Sequence, residues 1–194
     1  QSRLQQKSKS DYFIQSVKAN LGDVYFSEIS LNKENGLVEL PHRPVIRVAT
    51  PVFNQSTGDI FGIVVINVNF SVFIDRLNDE ITDYEFYLAN DKGHYLIHPD
   101  KNKMFGFDLG QNYLMQDEFP ALKSVIKNND SHKKMLNIKL DSVSDDDPTA
   151  SAFYVYITEN HVNQGADKRL RALVISDNKN NLVVLQDLKI RSIL

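Results

Sequence analysis

The chain has 194 residues, enough for one large domain or two small ones. Hydrophobic residues make up 42% and charged residues 24%, so a real core can be buried. A net charge of −3 leaves no basic excess to neutralise phosphates, which argues against nucleic-acid binding, and the absence of cysteine excludes thiolate zinc sites, disulfides and cysteine nucleophiles.

The chain opens on a polar Gln1-Ser2-Arg3 without Met, which reads as a piece of a longer protein whose membrane anchors lie outside it. Gln5 to Ala19 carries Tyr12, Phe13 and Val17 at helical spacing, with Leu21-Gly22 as a stop. Asp23 to Leu31 is rich in aromatic and branched residues and predicts a strand. Asn32 to Arg43 is a polar excursion, a loop or loose hairpin. Pro44 to Phe53 and Ile60 to Phe70 predict two strands joined by a polar turn, Asn54 to Asp59. Both faces of the second are largely apolar, which predicts a central strand covered on both sides. Its most apolar part, Ile60 to Val68, is far short of the roughly 20 residues that cross a bilayer.

Ser71 to Ile81 resumes helical spacing, with Ser71 as N-cap. Tyr84 to Ala89 and His94 to His98 predict a second hairpin around Asn90-Asp91-Lys92-Gly93. Phe105 to Gly110 reads as a Gly-punctuated loop, and Phe119 to Asn128 as a short helix with Pro120 in its first turn. Strands follow at Lys134 to Leu140, Ala152 to Thr158 and Arg169 to Ser176, with an acidic loop, Asp141 to Pro148, between the first two. Asn180 to Leu194 has Leu182, Leu185, Leu188 and Ile193 near helical spacing and predicts an exit helix. The order implies an α+β chain of antiparallel sheets flanked by helices: two copies of one unit, the first shortened at its start, over residues 1–76 and 77–194.

Val24-Tyr25-Phe26-Ser27, then Pro41 to Val52 (PHRPVIRVATPV) and Gly62 to Val68 (GIVVINV), resemble the membrane-distal half of a double CACHE sensor domain, a PAS-like fold also called PDC. Tyr87 to Asp100 (YLANDKGHYLIHPD), with Phe105 to Gly110 (FGFDLG), resembles the start of the membrane-proximal module. The two blocks together, in this order, are fairly specific, and they span most of the chain. The resemblance implies an extracytoplasmic sensor between two membrane helices. Its output would be a histidine kinase first, or else a diguanylate cyclase or chemoreceptor. It further implies a small ligand in the distal module and a homodimeric, membrane-anchored receptor. No cofactor is implied.

Ser8 to Phe13 (SKSDYF) resembles a pocket-lid motif of C4-dicarboxylate sensor kinases, in which an Arg stands two residues before a Tyr-Phe pair. Ser10 occupies that position here, so the bidentate carboxylate clamp is missing and Lys9 offers only a point charge. Tyr12 matches the family's Tyr; Tyr25 and Ser27 match the strand that follows. Asn67 stands where amino-acid-binding relatives carry an Asp for the ligand ammonium, and Arg47 is the remaining cation that meets an acid. The expected ligand is a small polar molecule, an amino acid, a carboxylate or an amine, held by Tyr12, Tyr25, Ser27, Arg47, Asn67 and Ser10.

Recognisable catalytic motifs do not emerge. His94 and His98, four apart on a strand, would sit about 13 Å from each other, too far to share a metal. Asp145-Asp146-Asp147 lacks the oxygen spacing and Gly of a calcium loop, and Phe105 to Gly110 lacks the strand and Lys-Ser/Thr of a phosphate loop. The competing readings are an α+β enzyme with an unfamiliar site and an adhesive surface domain.

Overall fold

The computed structural model describes residues 5–80, 85–123, 136–138, 151–158 and 169–176. These residues form two compact units, one ending at Val72 and the other beginning at Phe73.

The first unit is organised on a long hairpin, β5 (Pro44–Phe53) and β6 (Ile60–Asn69). Val, Ile and Phe dominate both strands, the residue types that fit a pleated, half-buried surface. The connection closes through Asn54 N–H to the Asp59 carbonyl at 2.8 Å and Gly58 N–H to the Asn54 carbonyl at 2.8 Å. Gly58 takes a φ of 75° there, which a side chain would oppose.

The free edge of β5 carries β1 (Tyr25–Phe26) and β2 (Ser30–Leu31), while β3 (Lys33–Glu34) and β4 (Leu37–Val38) form a small separate hairpin inside the expected polar excursion. Thus the predicted strand Asp23 to Leu31 is present in two pieces. Tyr25 pairs with Ala49 and Phe26 with Val48, but Ser30 pairs with Val45. The Ser27 N–H reaches the Arg47 carbonyl at 2.8 Å, so Glu28 and Ile29 both stand opposite Ile46. This is a β-bulge. It sets Tyr25, Ser27 and Ser30 on one face with Val45, Arg47 and Ala49.

That face packs under helix α1 (Asp11–Ser16). Gln5 to Lys9 stays outside the helix, contrary to the predicted start. Gln5 to Asp11 holds no apolar residue to be buried, and a short helix without tertiary packing is marginal. Val45 and Ala49 are buried beneath it.

One expectation is overturned. Among the described residues β6 pairs only with β5, so it lies at the edge of this sheet rather than its centre. Its outer face is open, with Val64 50%, Ile66 59% and Val68 46% exposed. Apolar residues on both faces of a strand signal burial only where something covers both faces; here α1 lies over β5, and no residue of β6 is buried. Helix α2 (Ser71–Glu80) follows, and its first N–H is capped by the Asn69 side chain, which accepts from Ser71 N–H at 2.9 Å; Ser71 is not the capping residue.

In the second unit, five antiparallel strands run in the order β8-β7-β11-β10-β9: β7 (Glu85–Ala89), β8 (Tyr95–Ile97), β9 (Leu136–Ile138), β10 (Ser151–Thr158) and β11 (Arg169–Ser176). Each matches a predicted strand. The β7–β8 turn is held by the Asn90 carboxamide oxygen, which accepts from Lys92 N–H at 3.0 Å and His94 N–H at 3.1 Å. Tyr87, Leu88, Ala89, Tyr95, Leu96 and Ile97 are all buried. A loop with two short 3-10 turns leads to helix α3 (Met115–Glu118), a feature the sequence reading did not foresee. The predicted helix from Phe119 begins with a 3-10 turn, Pro120–Leu122, and its remainder lies outside the described residues, as do the acidic loop and the exit helix.

Candidate functional site

On the face of the first sheet that carries Arg47, the structure brings together five of the six residues singled out from sequence, of which Asn67 is exposed. Arg47 pairs across the ladder with Asn67. Its guanidinium carbon lies 5.8 Å from the centroid of the Tyr12 ring, which α1 carries over the strand. The Ser27 hydroxyl oxygen accepts from Arg47 N–H at 2.8 Å and donates to the Glu28 carbonyl at 2.7 Å, so it is largely occupied in completing the bulge. Tyr25 donates its hydroxyl to the Asp11 carboxylate. Burial first, then that carboxylate, pushes the Tyr25 hydroxyl well above the usual phenol range, so it stays protonated and a donor. Ser10, the sixth residue, precedes α1 as its N-cap, without a side-chain capping bond.

Arg47 is oriented by two neutral acceptors. Its terminal nitrogens donate to Ser30 Oγ and to Asn32 Oδ1, each at 3.1 Å. Among the described residues no carboxylate forms an ion pair with it; the acid within its electrostatic reach, Glu34, is exposed and accepts from Asn32 rather than from the guanidinium. Asp11 mirrors this arrangement: its partners, the Tyr25 hydroxyl and the Gln15 amide at 3.4 Å, are also neutral.

Three residues escaped the sequence reading. Ser30 and Asn32 hold Arg47, and only the bulge, which sequence alternation does not show, puts Ser30 on that face. Ser16 lies four residues after Tyr12, hence on the same side of α1. It is fully buried, and its hydroxyl has no hydrogen-bond partner among the described residues. The Tyr12–Ser16 spacing was the available signal.

The second unit carries a buried polar cluster of another kind. His98 is 6% exposed, and its Nδ1 accepts from Asp100 N–H at 2.8 Å. Its Nε2 lies 3.2 and 3.3 Å from the two Glu118 oxygens. Glu118 also accepts from Lys103 at 2.7 Å and from the Tyr95 hydroxyl at 3.2 Å. Burial alone would raise the Glu118 carboxyl, but the Lys103 and His98 hydrogen bonds more than offset it and hold it below the usual range. Burial and Glu118 push the Tyr95 hydroxyl strongly upward. The groups satisfy one another, tying the end of β8 to the 3-10 turn and α3. This is an internal clasp. His94 packs instead against Phe107, with ring centroids 5.3 Å apart.

Residues 1–159 match the family model for the bacterial histidine kinase sensor domain. The chain belongs to this family. Solved structures show the same PDC/CACHE-like fold. The extracellular domain of a histidine kinase aligns over 94% of this sensor domain and 59% of its own chain, at 16% identity and a TM-score of 0.62. A sensory box/GGDEF family domain from Vibrio parahaemolyticus aligns over 94% and 63%, at 17% identity and a TM-score of 0.66. The periplasmic sensory domain of a Campylobacter jejuni chemoreceptor aligns over 88% and 55%, at 18% identity and a TM-score of 0.58. The chain therefore spans about three fifths of the length of the solved chains it matches. No curated protein matches it. A sensor domain of this family is an extracytoplasmic, ligand-sensing domain and is not itself catalytic. Among the described residues, no helix is long and apolar enough to cross a membrane.

Proposed function

We propose that this sensor domain binds a small polar molecule on the Arg47 face of its first unit and passes occupancy to a histidine kinase. In this reading residues 1–76 are the membrane-distal module and residues 77–194 the membrane-proximal one, in a homodimeric receptor anchored in the inner membrane. The observation that carries the reading is Arg47: a guanidinium oriented by Ser30 and Asn32, without an ion-pair partner among the described residues, near the Tyr12 ring and cross-strand from Asn67. A carboxylate is the group such a fork receives best. Chemoreceptor domains of similar fold from Pseudomonas were solved with L-arginine, L-serine and GABA, each of which carries a carboxylate.

Signalling needs a difference in ligand affinity between two arrangements of the domain, and that difference is all the energy available. Closure of α1 onto the sheet supplies such a difference, because Tyr12 contacts the ligand only when the helix is seated.

The test is calorimetric titration of the receptor's complete extracytoplasmic region with amino acids, carboxylates and amines. At least one acid-bearing compound is expected to bind, and Arg47→Ala to weaken it tenfold or more. Absence of any binding tighter than about 1 mM ends the proposal.

A further inference from the structure

We infer that the β3–β4 hairpin is a strap on this site, held shut through the side chain of Asn32 and released when an acid occupies Arg47. The inference rests on the sensing reading of the Arg47 face and goes further, by assigning a moving part to it. Asn32 follows β2; its N–H donates to the Arg43 carbonyl at 2.8 Å, and its own carbonyl accepts from Glu39 N–H at 2.9 Å. Those two bonds close the base of the hairpin. At its tip Asn35 and Gly36 take φ values of 51° and 83°, the left-handed pair of a tight two-residue turn. Packing holds it weakly: Leu37 is 74% exposed, and a lone two-stranded hairpin is marginal in water.

Polar ties hold it instead, and they converge on Asn32. The carboxamide oxygen accepts from Arg47 at 3.1 Å, while its nitrogen donates to Glu39 at 2.9 Å and to Glu34 at 3.3 Å. A guanidinium only donates and a carboxylate only accepts, so a carboxamide, with one group of each kind, can join them. Glu34 also accepts from the Gln5 amide and lies 4.0 Å from the Lys7 ammonium, and Asn35 N–H donates to Gln5 Oε1 at 3.3 Å. The connection from Arg47 thus runs through Asn32 and the hairpin to the stretch that leads into α1. The Gln5 and Asn32 hydrogen bonds, then the Lys7 and Arg47 charges, hold the Glu34 carboxyl below its usual range, so the strap is tied to Arg47 by charge as well as by bonds. A ligand carboxylate makes stronger, charge-assisted bonds to the guanidinium than a carboxamide does, and it brings a negative charge toward Glu34. Both effects oppose the closed strap. Its release frees the stretch before α1, the helix whose seating brings Tyr12 to the ligand.

The experiment follows hydrogen exchange in the receptor's complete extracytoplasmic region, with calorimetry of the same probes alongside. The probes are sodium acetate, L-serine, L-arginine and GABA, each compared with sodium chloride at equal ionic strength to control for screening. Wild type, Asn32→Asp, Asn32→Gln and Arg47→Ala are used, and peptides of the second unit report intact folding. In wild type, a probe that binds is expected to speed exchange across Lys33 to Glu39 at least fivefold, where chloride does not. Asn32→Asp sets a third carboxylate against Glu34 and Glu39, so this stretch should exchange fast without a probe and respond to none. Asn32→Gln keeps both an acceptor and a donor, and should restore slow exchange and part of the response. Arg47-dependent binding with unchanged exchange at the strap, or Asn32→Asp exchanging as slowly as wild type, overturns the inference and leaves the Arg47 reading intact. No binding by any probe, or affinity indifferent to Arg47→Ala, sinks both.

Discussion

Arg47 and Asn67 face each other directly across the β5–β6 ladder, each a polar interruption of an apolar run. Cross-strand neighbours of this kind bring their Cβ atoms to about 5 Å. Replacing Asn67 with Asp would therefore set a carboxylate against the guanidinium. We expect Asn67→Asp to leave folding intact, adding at most about 1 kcal/mol at this exposed edge. It should weaken carboxylate ligands at least tenfold, because the protein then occupies its own cation. Calorimetry of the variant checks this, and unchanged affinity would place the ligand elsewhere.

Ser16 gives a second prediction. A buried hydroxyl without a partner costs about 1–3 kcal/mol. Ser16→Ala removes that cost and improves helix propensity, so the ligand-free protein should melt at a higher temperature. A lower melting temperature would mean that the hydroxyl has found a hydrogen-bond partner.

Gly93 and Gln116 give a third. A Cβ at Gly93 would fall 1.9 Å from Gln116 Oε1, and the residue's φ is 90°. Gly93→Ala should cost about 3 kcal/mol, combining displacement of Gln116 with backbone strain. In a Gln116→Ala background the clash disappears and about 1–2 kcal/mol of left-handed strain remains. Equal costs in both backgrounds would refute the steric share.

Glu118 predicts an acid sensitivity. Its folded carboxyl is held below its unfolded value, so the stabilisation is complete above about pH 4.3 and is lost as pH falls through the folded value. Thermal unfolding followed against pH should show a steeper acid decline for wild type than for Glu118→Gln, which retains an acceptor but does not titrate. Parallel profiles would show that the clasp is not linked to protons.

Much of the fold was readable from residue pattern. The hairpins at Pro44 to Asn69 and Tyr84 to His98 announce themselves because branched and aromatic runs flank Asn- and Gly-bearing turns, a local code. Less visible was anything set by what lies across a strand. β6 reads as buried because its residues are apolar on both sides, yet Ile66 is 59% exposed. Burial depends on which elements stack there, and periodicity carries no such information. Likewise Tyr12, Tyr25, Arg47 and Asn67 could be named through family resemblance. Ser30 and Asn32, which aim the guanidinium, could not: their positions depend on a bulge that regular alternation hides. Asp11 appeared within the SKSDYF motif, but its tie to Tyr25 spans fourteen residues and exists only once the helix is seated.

The bulge at Glu28 and Ile29 also governs how this stretch tolerates changes in length. Because two residues already share one position opposite Ile46, removal of Glu28 would straighten the strand and keep Ser30 in phase with Val45, preserving the hydroxyl that steers Arg47. Adding one residue there, with Leu31 still fixed by its pairing to Pro44, would have to be absorbed by a wider bulge or else rotate Tyr25 and Ser27 to the far side. Shortening and lengthening by a single amino acid are thus unequal events at this point of the chain, and a natural variant that loses Glu28 should sense what its parent senses.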